Sequence, residues 1–188
     1  MADDFCKEFT FQQEKYMIED KKTKHRNKPN CMSDAEIMVV LIRFHSGGFR
    51  CFKHYYKEYV CKHLKHLFPR QVSYNRFAEL EKEVLLPLTI FIKKVLLGTC
   101  TGISFVDSTP LRVCRNQRIL IYKTFEGLAE RGKCSTLMSI VDKILLRKRA
   151  LIETVNDELK NIAQIEHSRH RSFSNFIANS LSAIAAYC

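Results

Sequence analysis

Apolar residues recur at helical spacing along much of the chain, and capping or turn residues mark where each run begins and ends. The capping-box pattern Ser33-x-x-Glu36 precedes an apolar run that continues through Phe44. The pair Gly47-Gly48 follows this run, and glycine is the residue most often found just past a helix C-terminus. The sequence therefore predicts one helix between the capping box and the two glycines.

The next segment predicts a helix from about Phe49 to Leu67 that has an apolar side and basic residues on its other faces. Apolar residues recur at helical spacing, basic residues occupy the other faces, and Pro69 then breaks the helix. A cationic helix face of this kind is typical of nucleic-acid contacts, and it is also common on solvated helical hairpins. The apolar positions are Phe52, Tyr55, Tyr56, Tyr59, Val60, Leu64 and Leu67, and the basic positions are Arg50, Lys53, His54, Lys57, Lys62, His63, Lys65 and His66.

Two more helical stretches are predicted from their start signals and their spacing. Ser73 can cap a helix that runs through Val84, kinks or restarts at Pro87 and ends at Gly98. Residues 137–162 form a longer helical pattern with a single apolar stripe. The stripe consists of Val141, Ile144, Leu145, Ile152, Val155, Leu159 and Ile162.

Between these helical stretches the pattern changes to short strands. Residues 103–109 form an apolar run that ends in a carboxylate and two hydroxyls, and residues 113–119 form a second candidate strand after Pro110. A last helix is predicted over about 172–187, where alanine and serine suit close packing against another element. The sequence thus predicts an α+β chain that is mostly helical.

The charge balance narrows the class of partner. The chain has 188 residues, with 31 Lys and Arg against 20 Asp and Glu, so its formal net charge is +11. This surplus favours a polyanionic partner, with nucleic acid first and an anionic membrane second. The most apolar stretch, residues 84–97, is too short to span a bilayer, so we expect a soluble intracellular protein. The eight cysteines form no C-x-x-C pair, which disfavours a structural zinc site.

Two carboxylates stand out as candidates for chemistry. Asp107 ends an apolar strand, where a charge is costly unless it is paired, capped or bound to a metal. Glu153 lies on the polar side of the long helix, in line with Arg149 and Lys160 at helical offsets. Each also has a plain structural interpretation, since Asp107 can form a turn and Glu153 can pair with Arg149 on a solvated face.

A resemblance to a known family changes the weight of these candidates. The run Phe-Val-Asp-Ser-Thr-Pro-Leu-Arg-Val-Cys over residues 105–114 is similar to the strand that carries the first catalytic Asp in DDE-type transposases of bacterial insertion sequences. The resemblance implies an RNase H-like fold, in which three carboxylates hold two Mg²⁺ ions for in-line phosphoryl transfer. The group of these elements numbered nine-eight-two is also similar over residues 52–56, 72–77, 123–129, 132–135 and 142–157.

The resemblance assigns roles to individual residues. A spacing related to this family, Y-x2-R-x3-E-x6-K, is met by Arg149, Glu153 and Lys160, while Leu146 stands at the Tyr position. It implies that Asp107 and Glu153 are the first and third catalytic carboxylates and ligands of Mg²⁺. It also implies that Arg149 and Lys160 contact phosphates at the element end. The further candidates for DNA binding are Arg112, Arg115, Lys53 and Lys57.

The second catalytic Asp of the family has no counterpart here. In full members several strands separate the Gly-Lys-Cys-Ser run, residues 132–135 of this chain, from the Glu-bearing helix, whereas here one follows almost directly after the other. We therefore predict an internal deletion near 136–137 and a catalytically defective copy with an incomplete Mg²⁺ site. The resulting organisation is a basic arm over 1–32, a helical DNA-binding unit over 33–98 and an incomplete RNase H-like domain over 99–188.

Three functions are open at this point. The chain could be a transposase that cleaves and joins DNA, a non-catalytic remnant that competes for element ends, or a remnant with no selected role. The first two imply double-stranded DNA at terminal inverted repeats as partner and a cytoplasmic, nucleoid-associated place in a bacterium, and they leave a homo-oligomer open. Without the missing strands, we expect a loosely packed or mostly helical C-terminal half with a residual strand pair around 103–122.

Overall fold

The computed structural model describes residues 2–16, 30–98, 111, 113, 123–128, 150–166 and 172–188, and every regular element in these ranges is helical. The mostly helical fold class is therefore confirmed for this part of the chain. The predicted strand pair lies outside the described residues, apart from Leu111 and Val113, which belong to no strand. In chain order the elements are α1 (Ala2–Tyr16), α2 (Asp34–Ser46), α3 (Phe52–His54), the π-helical segment π1 (Tyr55–Val60), α4 (Cys61–His63), α5 (Tyr74–Leu80), α6 (Leu85–Phe91), π2 (Ile92–Leu96), a 3₁₀ turn (Lys123–Phe125), α7 (Ala150–Asp157), π3 (Glu158–Ile162) and α8 (Phe173–Tyr187).

Helix α2 begins and ends where the sequence predicts. The Glu36 backbone N–H donates to Ser33 Oγ (3.3 Å) and the Ser33 N–H donates to the Glu36 carboxylate (2.7 Å), which confirms the capping box. At the other end, the Gly47 N–H donates to the Arg43 carbonyl (2.9 Å). A Cβ on Gly47 would lie 2.6 Å from the Phe49 ring, so only glycine lets the chain turn back this closely.

Segments α3, π1 and α4 follow one another without a break, and we call them together the basic helix. It is shorter than the predicted helix, because the chain turns at Leu64, whose carbonyl accepts hydrogen bonds from the N–H groups of Leu67 and Phe68 (3.0 Å each). This turn buries Phe68 and leaves the Leu67 side chain 59% exposed. The prediction that Leu67 continues the apolar side of the helix is therefore wrong.

An aromatic core holds the basic helix against its neighbours. Tyr55, Tyr56 and Val60 are almost completely shielded from solvent on the inner side of the helix. The Tyr55 ring lies 5.5 Å from that of Phe44 in α2, and the Tyr56 ring lies 4.6 Å from that of Phe77 in α5. Aromatic pairs at these separations add to the stability gained from burial alone. The inner side thus fixes which residues of the basic helix face outward.

Helices α5 and α6 are joined by a turn where one longer helix is predicted. Ser73 caps α5 as expected, since its Oγ accepts a hydrogen bond from the Arg76 N–H (3.3 Å). However, α5 ends at Leu80 instead of continuing through Val84. The next helix begins at residue 85 with Pro87 in its first turn, where the missing N–H of proline leaves no helical hydrogen bond unmade. The predicted restart at Pro87 is thus confirmed.

The first and last helices share the core built around α2. Helix α8, which is capped by Ser172, packs against α2 and α6, and its small residues Ala178 and Ala183 are fully buried. Helix α1 packs against the same two helices, with the Phe5 ring 5.2 Å from that of Phe91. The predicted close packing of the small-residue helix is confirmed. Division of the chain at residues 32 and 98 stays a prediction.

Candidate functional site

The outer side of the basic helix forms a cationic surface. The aromatic core fixes this orientation, because the Tyr56 hydroxyl donates to the Val72 carbonyl (2.7 Å) and the Tyr55 hydroxyl donates to the Val40 carbonyl (3.2 Å). Burial raises the pKa of Tyr56 to about 12, so its phenol stays a neutral donor at physiological pH. The exposed basic residues along the helix and the turn after it are Lys53, His54, Lys57, Lys62, His63, Lys65 and His66.

Few negative charges offset this surface. Glu58 forms an ion pair with Lys62 one turn further along the helix, and hydrogen bonding from that lysine lowers the pKa of the Glu58 carboxyl. Glu58 is the single acidic residue within the basic helix, residues 52–63. The candidate DNA-binding residues Lys53 and Lys57 are both exposed, as the sequence predicts. Exposed lysines with little local compensation suit a polyanion, because binding releases the counterions around its phosphates.

Tyr74 is a residue of this surface that the sequence pattern does not single out. It is the first residue of α5, and the Lys53 ammonium lies 5.9 Å from the centroid of its ring. This geometry is a cation–π contact between the basic helix and α5. The Ser73 cap places Tyr74 at the start of a helix, but the sequence does not show which helix it faces.

The second candidate region consists of α7 and π3, which follow one another directly, and we call them together the Glu153 helix. Glu153 is exposed on α7. Lys160 lies in π3 and is half-buried, with its Nζ 3.6 Å from a carboxylate oxygen of Glu166. Glu166 was not predicted as a site residue. The remaining candidates, Asp107, Arg112, Arg115 and Arg149, lie outside the described residues.

The apolar stripe of this helix ends earlier than predicted. Leu159 is partly buried in a small cluster with Ala163 and Ile165, whereas Ile162 is 66% exposed, so its place in the buried stripe is wrong. The cause is the wider π turn, in which the Ala163 N–H donates to the Glu158 carbonyl (3.0 Å). The extra residue in this turn brings Ala163 to the packed side and turns Ile162 to solvent.

A buried histidine connects the end of this helix to α2. His45 Nδ1 lies 2.6 Å from the Ala163 carbonyl, so it carries the proton and donates it. Burial lowers the pKa of His45, which favours the neutral ring. Asn179 of α8 also lies beside this ring. The Glu153 helix is thereby tied to the same core that supports the basic helix.

No complete metal-binding set occurs in the described ranges, because they contain no group of three His, Cys, Asp or Glu side chains placed to hold one ion. Of the carboxylates that the resemblance implies as Mg²⁺ ligands, only Glu153 falls within these ranges. A two-metal site needs several carboxylates around each ion, and Asp107 lies outside the described ranges. In the same part of the chain, no helix is both long enough and apolar enough to cross a membrane.

Comparison with known families gives one match. A family model described as a transposase DDE domain matches the chain in two segments, residues 97–138 and residues 135–173. No curated protein and no solved structure matches the chain significantly. The chain is thus similar to DDE transposase domains over the part that contains both Asp107 and Glu153, which supports a DDE-type transposase.

Proposed function

We propose that the chain is a shortened DDE transposase of the insertion-sequence group numbered nine-eight-two, and that it binds the element ends without cutting them. The observation that carries the DNA-binding part is the exposed cationic side of the basic helix, held in place by a buried aromatic core. A rigid support of this kind presents lysines to phosphates in a fixed arrangement, which lowers the entropy lost on binding. The transposase match implies a DNA substrate, and we infer that this substrate is the double-stranded terminal repeat of the element.

The two-segment match supports an internal deletion. A single family model matches residues 97–138 and then residues 135–173, so the two segments meet at residues 135–138. The join predicted from the sequence, near 136–137, falls inside this short overlap. Two adjoining segments are what a removed middle would leave. The missing middle is where the second catalytic Asp stands in the family.

The surroundings of the Glu153 helix bear on the proposed loss of cutting. Leu111, four residues after Asp107, packs against the cluster that holds Leu159 and the end of the Glu153 helix. Leu111 and the end of the Glu153 helix are therefore neighbours in this fold. In an intact relative the second Asp would complete the Mg²⁺ site, whereas this chain keeps two carboxylates of the three.

DNA binding is tested with the protein and a duplex that contains the terminal repeat of its element. We expect tight binding that weakens with salt, and the double variant Lys53→Ala/Lys57→Ala should lower the slope of log K against log[salt] by about 2. The matched control is Lys93→Ala/Lys94→Ala, which removes two exposed lysines from π2 and should leave that slope unchanged. Equal affinity for a scrambled duplex would contradict recognition of element ends.

Catalysis is tested by incubating the same duplex with Mg²⁺ and resolving the strands. We expect no cleavage by this chain and cleavage by a version with the missing segment restored. Glu153→Gln in the restored version should abolish cleavage, because the amide cannot supply a carboxylate ligand to the metal. Cleavage by the chain as it stands would show that the second Asp is dispensable or replaced.

The competing role follows from binding without cutting. Added to an intact transposase of the same group, the chain should reduce cleavage in proportion to its occupancy of the terminal repeat. The Lys53→Ala/Lys57→Ala variant should inhibit less, while Lys93→Ala/Lys94→Ala should inhibit like the wild type. Inhibition that the first variant retains in full would point to a contact between the two proteins instead of competition for DNA.

A further inference from the structure

A groove runs between the basic helix and the start of α5. Its volume is about 430 Å³. We call it the α5 groove, and its lining residues come from three stretches of chain: the basic helix, residues 72–73 before α5, and the first turn of α5. These residues are Lys53, Tyr56, Lys57, Cys61, Val72, Ser73, Tyr74 and Asn75.

The walls of the α5 groove are held together by hydrogen bonds and ring contacts. The Tyr56 hydroxyl donates to the Val72 carbonyl (2.7 Å), and the Gln71 amide donates to the Val60 carbonyl (3.1 Å). The Tyr74 ring packs 6.4 Å from the rings of both Phe52 and Tyr56. These links connect the segment before α5 to the basic helix at several points. The groove is therefore preformed, and a ligand would not have to order it.

The chemistry of the α5 groove is cationic and aromatic. Lys53 and Lys57 supply two ammonium groups, and none of the eight described residues that line the groove is acidic. The Lys53 ammonium already lies 5.9 Å from the Tyr74 ring centroid, so a charge and an aromatic face occur side by side. Asn75 adds an amide that can both donate and accept hydrogen bonds. This combination suits a ligand that joins an anion to a flat ring.

A second groove on the same helical unit shows the contrast. It is about 530 Å³ in volume, and its lining includes the carboxylates of Asp34 and Glu36 beside a single arginine, Arg70. Two carboxylates would repel a phosphate. Of the two grooves, only the α5 groove therefore has the charge to hold a phosphate.

We propose that the α5 groove binds one unpaired nucleotide of a DNA strand. The phosphate lies between the Lys53 and Lys57 ammonium groups, the base packs against the Tyr74 ring, and Asn75 faces the base edge. A duplex keeps its bases stacked on one another and offers only its phosphates here, whereas an unpaired base has a free face for the aromatic ring. The inference rests on the proposed function, since it assumes that the basic helix is the surface that meets DNA.

The test is fluorescence anisotropy with a labelled thymidine oligonucleotide of about 12 nucleotides, a length within the usual range of single-strand sites. Tyr74→Leu keeps apolar bulk but removes the ring, and we expect it to weaken binding roughly 10-fold or more, in line with base stacking on aromatic residues. Tyr74→Phe keeps the ring and should bind like the wild type. Tyr187→Ala, which truncates a tyrosine that is 44% exposed at the end of α8, is the control and should have no effect.

A duplex that carries the terminal repeat is measured alongside with every variant. We expect Tyr74→Leu to weaken duplex binding less than oligonucleotide binding, because a paired base cannot reach the ring. If Tyr74→Leu binds the oligonucleotide as tightly as the wild type while melting at a similar temperature, the inference about the groove is wrong. The proposed recognition of duplex DNA is not contradicted by that result. If duplex recognition fails while oligonucleotide binding stays sensitive to Tyr74, the proposed function is wrong and the groove assignment holds.

Discussion

The basic helix and the Glu153 helix are built alike but supported differently. Each is amphipathic, and each passes from α to π geometry along its length. The basic helix buries Tyr55, Tyr56 and Val60 almost completely in an aromatic core. The Glu153 helix has a partly buried Leu159 on a small cluster and leaves Ile162 two-thirds in solvent, at 66% exposure.

This difference separates the two steps expected of a transposase. Binding DNA needs a fixed cationic surface, and the basic helix has the support to provide one. Cutting DNA needs carboxylates held in register around metal ions, and among the described side chains of the Glu153 helix only Leu159 packs against a hydrophobic cluster. Its end is linked to the main core by the hydrogen bond from His45 to the Ala163 carbonyl (2.6 Å) and by packing against Ala183 of α8. The fold is thus consistent with a protein that keeps the binding step better than the cutting step.

The largest expected effect tests the support of the basic helix. Tyr56→Ala removes a fully buried ring and its hydrogen bond to Val72, and we expect it to lower the free energy of unfolding by about 3–5 kcal/mol. Urea denaturation followed by circular dichroism measures this change. Tyr187→Ala is the control, and its partly exposed side chain should matter by less than about 1 kcal/mol. A loss of under about 1 kcal/mol for Tyr56→Ala would show that the aromatic core does not hold the helix.

The next effect concerns a buried carboxyl in the better-packed region. Glu81, at the end of α5, is buried, and burial raises its pKa to about 8 from an ordinary value of 4.5. The folded state therefore holds this proton more tightly than the unfolded state. The stability that this proton provides is present below pH 4.5 and is lost as the pH rises towards 8.

Glu81→Gln should remove this pH dependence, because the amide stays neutral at every pH. We expect the variant and the wild type to be similarly stable at acidic pH, and the variant to be more stable at pH 9 by about 2–4 kcal/mol. Urea titrations at several pH values provide the measurement. Glu8→Gln, which replaces an exposed glutamate in α1, should follow the wild-type curve. Parallel curves for Glu81→Gln and wild type would mean that Glu81 ionises normally in the folded protein.

The features that the sequence predicted correctly are those that depend on contacts between residues close together in the chain. The caps at Ser33 and Ser73 and the glycine after α2 mark helix ends through contacts within a few residues, and all of them are confirmed. The exposed lysines of the basic helix were predictable for a similar reason, since unpaired charges stay in water. These local rules recovered the exposed lysines of the basic surface.

The errors come from contacts that are distant in sequence. The turn that exposes Leu67 and the π turn that exposes Ile162 depend on how each helix end packs in the folded chain, which residue spacing does not encode. His45 meets a carbonyl 118 positions away, and Tyr74 meets Lys53 on a different helix. Among site residues, the pattern therefore located those that act through charge and missed those that act through tertiary contact.

The smallest expected effect tests the packing of the Glu153 helix. Leu159→Ala shortens a partly buried side chain in the cluster that supports the Glu153 helix, and we expect a loss of about 1 kcal/mol in the free energy of unfolding. The same substitution at the fully buried Leu88 should cost about 2–5 kcal/mol, so the pair compares one change in two environments. Urea denaturation measures both variants. Because the basic helix does not depend on Leu159, duplex binding should be unchanged by Leu159→Ala. Equal losses at the two leucines would show that the Glu153 helix is packed as firmly as the proposed DNA-binding region, and the proposed defect in cutting would then rest on the predicted loss of the second Asp alone.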